Sequence, residues 1–170
     1  MRPADWTRLI DWVVEFRALH EEARTGKLDR QRREKYDQES ESLVRALLVA
    51  QRLSVKPGQT ARQSLRVARE LPVELTLGGQ AQKVKTIDLG LGGFAAMLGK
   101  PPRVDERVEF ALTLQNGDAV RGRVRVVNVQ RKGKPYRVAF AFEQLQGEDA
   151  RGVSFEIIDA ALETIPPHSS

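Results

Sequence analysis

The chain has 170 residues, 28 lysines and arginines against 23 aspartates and glutamates, a formal net charge of +5, and no cysteine. That length accommodates one barrel-sized domain plus a smaller element. The missing cysteine excludes a disulfide framework, thiol catalysis and cysteine metal sites, while the positive balance favours anionic partners without choosing among nucleotides, nucleic acid, acidic protein faces and lipid surfaces.

The N-terminal part reads as helix. Trp6, Leu9, Ile10, Val13, Phe16 and His20 recur at steps of three and four residues and so share one face. Trp12 and Val14 lie off that stripe. Gly26 is a natural stop, because glycine accepts the left-handed cap conformation. A second helix is predicted from Asp29 to Leu53. Its front half, Arg30 to Ser42, is polar apart from Tyr36, and its back half, Leu43 to Ala50, is apolar. Burial is therefore expected at the back end. The short connection predicts an antiparallel helical hairpin over residues 1–56. Its apolar surface fits packing within the chain and fits a dimerisation element equally well.

Pro57-Gly58 is a turn signal and sets the predicted boundary. Beyond it the period changes to two. Val73, Leu75 and Leu77 alternate with polar residues, and Gly78-Gly79 turns the chain into a strand from Ala81 to Asp88. A glycine cluster follows, then an apolar strand from Phe94 to Leu98. Val108, Phe110, Leu112 and Leu114 alternate before Asn116-Gly117, a hairpin signal. The return strand runs from Ala119 to Val129, and Val138, Phe140 and Phe142 alternate again. A helix from Glu148 to Ile165 closes the domain, and residues 166–170 form a tail. Short antiparallel strands of this kind make a sandwich or a small barrel.

No catalytic constellation emerges. His20 and His168 stand at opposite ends, without metal-ligand spacing, and Ser64 has no histidine partner. Gly90-Leu91-Gly92-Gly93-Phe94-Ala95 satisfies a dinucleotide fingerprint formally, but Pro101-Pro102 leaves no room for the helix that the fingerprint must open. Neither an enzyme nor a bound cofactor is expected. No apolar run is long enough to span a bilayer, and Met1 to Trp6 lacks the pattern of a signal peptide, so a soluble cytoplasmic protein is expected. Arg121, Arg123 and Arg125 alternate on one strand face and, with Arg131, Lys132 and Lys134, form a basic hairpin. Without interleaved aromatic platforms this reads as a solvated face rather than a nucleic-acid surface.

Arg62-Gln63-Ser64-Leu65-Arg66 precedes Ile87-Asp88-Leu89-Gly90-Leu91-Gly92-Gly93 by about twenty residues. In these motifs, and in the late strands Val120 to Val129 and Tyr136 to Phe142, the chain resembles the PilZ family, with its RxxxR and [D/N]xSxxG motifs. The resemblance implies an α+β fold: a small antiparallel six-stranded β-barrel over residues 57–165 with a C-terminal helix, preceded by the helical hairpin. It also implies a bacterial receptor for the second messenger cyclic di-GMP. Arg62 and Arg66 become phosphate and guanine ligands, Asp88 the acceptor for a guanine edge, Gly90 the ligand-site position of the family's serine, and Gly93 the glycine that keeps the turn. The chemistry agrees, because a guanidinium can pair a phosphate bidentately, pair with guanine O6 and N7, or stack on the base. Gly90 stands where the family has serine, a loss of about 0.5–1.5 kcal/mol if one hydrogen bond disappears. The expected partners are cyclic di-GMP, a protein partner of unknown identity, and a second copy through the N-terminal helices. Binding is expected to order Gln59 to Arg69, taken as a flexible segment, and to relay the signal to the hairpin. The alternative is a degenerate domain that binds no nucleotide and serves as an interaction or oligomerisation module.

Overall fold

The computed structural model describes residues 3–53 and 64–165. The chain divides into two compact units, Met1–Arg62 with Leu162–Ser170, and Gln63–Ala161. Among the described residues no helix is long and apolar enough to cross a membrane.

The first unit contains helices α1 (Pro3–Arg24) and α2 (Arg30–Leu53). Glu22 of α1 pairs with Arg32 of α2, and His20 Nδ1 lies 2.6 Å from the Tyr36 hydroxyl, so the two helices run antiparallel. The ring of Phe16 is the centre of the pairing. It stacks on Trp12 at 5.2 Å and on Tyr36 at 5.7 Å, and it is fully buried. Trp12, half-buried, thus stacks on the core ring although it falls off the sequence stripe, because a large ring reaches its neighbour one turn away. Burial in α2 departs from the expectation. Tyr36 and Ser40 of the front half are buried along with Leu43 of the back half, whereas Val49 and Leu53 are 52% and 83% exposed. The rings of Phe16 and His20 meet α2 at Tyr36, so the polar-looking front half shares the packing.

The second unit holds seven strands: β1 (Arg66–Ala68), β2 (Pro72–Leu77), β3 (Gln80–Gly90), β4 (Gly93–Leu98), β5 (Arg107–Thr113), β6 (Ala119–Gln130) and β7 (Tyr136–Glu143), followed by α3 (Gly147–Glu163). All pairings are antiparallel, in the order β1-β3-β2-β5-β6-β7-β4, and β3 also pairs with β4. Strands β2 to β7 therefore close a six-stranded barrel, as expected, and β1 is an extra strand. Its three residues, one of them an arginine, are too few for a period-two pattern to be visible. So part of the segment read as flexible, from Arg66 to Arg69, is ordered structure.

Closure is possible because β3 is long and bends. Its first half pairs with β2, its last residues pair with β1 along the same edge, and its opposite edge pairs with β4 past an irregularity between Thr86 and Asp88. Alternation sends Leu75, Leu89, Phe94, Leu112, Val124, Val126, Val138 and Phe140 into the interior, where each is essentially inaccessible. Phe94 stacks on Phe140 with ring centroids 5.1 Å apart. Burying each such side chain contributes about 1.5–3 kcal/mol. Helix α3 buries Val153, Ile157 and Ile158. Its Gly152 lies so close to Leu114 that an added Cβ would be 2.8 Å from Leu114 Cδ1.

Between β1 and β2 the chain is pinned from two sides. The Thr86 hydroxyl donates to Arg69 O at 2.5 Å and accepts from Leu71 N at 2.9 Å, and Arg69 N donates to Ile87 O at 3.2 Å. The Arg69 side chain is buried and bonds Glu156 of α3 through Nε at 3.1 Å. Glu156 also accepts from Gln115 N, at 2.5 Å, in the β5–β6 turn. One buried carboxylate thus ties the end of β1, the β5–β6 turn and α3. A buried ion pair costs most when one partner is removed, because the other is left as an uncompensated charge. Glu156→Ala should lower the unfolding free energy by about 3–5 kcal/mol in urea titration, and joint replacement of Arg69 by Met and Glu156 by Leu should cost much less.

Candidate functional site

The end of β3, β4 and β7 present one outer surface of the barrel. Asp88 sits opposite Ala95, and Ala95 opposite Ala139, while Gly90 sits opposite Gly93, and Gly93 opposite Ala141. Phe94 and Phe140 occupy the alternate positions and fill the core, so Ala95, Ala139 and Ala141 lie on the opposite face, where Ala95 is buried and Ala139 and Ala141 are half-buried. Ala139 and Ala141 give that face a shallow floor of small side chains.

Gly93 is required by packing. A Cβ there would lie 1.9 Å from Phe140 O, so no side chain fits without separating β4 from β7. Gly90 is required by a different neighbour. It pairs with Arg66 in the β1–β3 ladder, and a Cβ would stand 2.8 Å from Leu65 O and 2.9 Å from Arg66 Cδ. The absent serine is therefore matched by the close approach of β1. The Arg66 stem crosses the space that a side chain at position 90 would fill.

That crossing carries the Arg66 guanidinium to Asp88, with Nη1 3.2 Å from Oδ1. The second oxygen of Asp88 accepts from Arg137 Nη2 at 2.7 Å. One carboxylate thus bridges two guanidiniums from strands that are far apart in sequence. The Asp88 side chain is 13% exposed, Arg66 20% and Arg137 35%. The cluster is half-sunk in the surface, where charge-assisted bonds are worth about 1.5–3 kcal/mol each.

Of the predicted site residues, Arg66, Asp88, Gly90 and Gly93 come together here, and Arg62 lies outside the described residues. Arg137 was missed. Alternation of Val138, Phe140 and Phe142 already places it on the outer face, but the neighbouring of β7 with β4, and so the reach to Asp88, has no local sequence signal. Arg125, one of the alternating arginines of β6, pairs with Asp105 at 2.7 Å. The arrangement can hold a planar anionic ligand: guanidiniums for phosphate or base acceptors, a carboxylate for base N–H donors, and a small-residue floor beneath.

The profile of the PilZ domain matches residues 60–156. Among solved structures, the chain is similar to the Bacillus subtilis inhibitor of motility MotI/DgrA, with TM-score 0.56 and 15% identity, covering 64% of this chain and 55% of that one. It is also similar to the PilZ domain with c-di-GMP of YcgR from Escherichia coli, with TM-score 0.52 and 17% identity, covering 62% of this chain and 95% of that one. A third is MrkH of K. pneumonia in its apo state, with TM-score 0.50 and 19% identity, covering 65% and 55%. The chain thus spans about half the length of the motility inhibitor and of MrkH. A search of curated protein sequences finds no match.

Restoring the family's serine should not be benign. Gly90→Ser should destabilise the barrel unit by about 1–3 kcal/mol, as overpacking does, because Leu65 O and the Arg66 stem must move. Gly93→Ala should cost more, since its obstacle is backbone. Urea midpoints of the two variants check the order.

Proposed function

Because the chain belongs to the PilZ domain family through residues 60–156, we propose that it is a cytoplasmic receptor for cyclic di-GMP with no catalysis of its own. The observation that carries this reading is the Asp88 carboxylate bridging Arg66 and Arg137 beside the half-buried Ala139 and Ala141. In the proposed complex, Arg66 and Arg62 bind phosphate and guanine acceptors. Asp88 receives guanine N–H donors, and Gly90 and Gly93 let the ligand approach the backbone. The ligand competes with Asp88 for the guanidiniums, so binding exchanges internal ion pairs for ligand contacts rather than filling idle donors.

Residues 1–56 act as the interaction element and residues 57–165 as the ligand-binding domain. Contacts of the ligand with Arg62 and Arg66 bias the segment between them, and the bias passes to a protein partner through α1 and α2. A ligand shifts such an equilibrium only by its differential affinity for the two arrangements. A second reading, a degenerate domain that binds no nucleotide and serves as an assembly module, draws support from Gly90 at the serine position and from exposed Val49 and Leu53 on α2.

Calorimetric titration of the full chain with cyclic di-GMP decides between them. The receptor reading expects saturable heat, and a loss of affinity of about tenfold or more for Arg66→Ala, as removal of a charge-assisted contact gives. No heat at tens of micromolar protein, together with a concentration-dependent oligomer in light scattering, would instead establish the degenerate domain.

A further inference from the structure

We infer that Arg137, outside both sequence motifs, is a direct ligand contact that takes an anionic phosphate oxygen of the nucleotide. The inference rests on the receptor reading above and deepens it. Four observations select this residue. A guanidinium carries five N–H donors. Among the described residues Arg137 spends one of its Nη2 donors on Asp88 Oδ2, at 2.7 Å, leaving the rest of its fork for an incoming group. It is also the most exposed member of the bridged cluster, at 35% against 20% for Arg66.

Three cations of neighbouring elements are committed elsewhere. Arg125 pairs with Asp105, Arg107 with Glu143, and Arg69 is buried against Glu156. Arg137 also borders the floor. Two residues before Ala139, it shares that residue's face of β7. Its partner across the ladder is Met97, 38% exposed, an apolar rim for a base. With no hydroxyl at Gly90, a donor from β7 supplies an anchor that the motifs do not.

A purely positioning role, holding the Asp88 carboxylate still, makes a different prediction. Glutamine at position 137 can still donate a neutral hydrogen bond to Asp88 but cannot attract a phosphate. Full-length wild type, Arg137→Gln, Arg137→Lys and, as a control, the exposed Arg121→Gln are titrated with cyclic di-GMP at about 50 mM and about 300 mM salt, which changes the screening length severalfold. Thermal melts confirm that each variant is folded.

Direct contact expects Arg137→Gln to bind about 10- to 100-fold more weakly, the range of a lost charge-assisted bond, with a flatter salt dependence. Arg137→Lys should recover the salt dependence and part of the affinity, and Arg121→Gln should match wild type. If wild type binds and Arg137→Gln stays within about twofold of it, or keeps the full salt dependence, Arg137 is not a phosphate contact and the receptor reading stands without it. If wild type does not bind, the receptor reading fails and this inference with it.

Discussion

The buried pair between Arg69 and Glu156 is the constraint on which the candidate site depends. Strand β1 has three residues, and ordering each residue costs about 1–2 kcal/mol of backbone entropy. Its few ladder bonds to the end of β3 do not offset that alone. The anchors lie at its two ends. Leu65 is buried before it, and Arg69 after it is held by Glu156 through its side chain and by Thr86 through its main chain. With both ends fixed, Arg66 has one direction in which to extend, across Gly90 and onto Asp88. A stability element deep in the barrel unit therefore determines where a surface guanidinium lies.

Behind the site stands a rigid platform. Phe94 and Phe140 interlock in the core, while their neighbours in the same strands, Ala95 and Ala139, put only methyl groups on the opposite face. The two faces of β4 and β7 are built for opposite tasks, large rings within and minimal side chains without. Gly93 joins the two requirements, since only its lack of a Cβ lets β4 lie against Phe140 O. The polar groups are then few and precise: one carboxylate, two guanidiniums, and a backbone approachable at Gly90 and Gly93. Each charge is partly desolvated, so each counts for more than it would on an open surface.

The helical unit follows a different logic. A run of stacked rings, Trp12, Phe16, His20 and Tyr36, joins the two helices, and of the aliphatic stretch of α2 Leu43 is buried while Val49 is exposed. Apolar composition marks a segment that can be buried, but the geometry of the partner helix determines which part is. Phe16 and His20 stack on Tyr36, which is buried, whereas Val49 is exposed.

Much of this was legible in the residues themselves. The helical and alternating periods, the Asn116-Gly117 turn and the glycine cluster define the six barrel strands and three helices, because those signals are local: a period, a turn, a cap. The spacing of Arg66 and Asp88 was legible too, through the family resemblance. Three features were not. Strand β1 is too short to show a period. The fit of Gly90 beneath Arg66 looks like a missing serine until the distance from Leu65 O is known. Arg137 lies 49 residues from Asp88, and only closure of the barrel brings β7 beside β4 and β4 beside β3. The sequence by itself determined which barrel strands exist and which face of each is apolar, since alternation is a property of consecutive residues. The tertiary structure alone decided which outward-facing charges meet, because that depends on the order in which strands pair around the barrel, and no local interaction encodes that order.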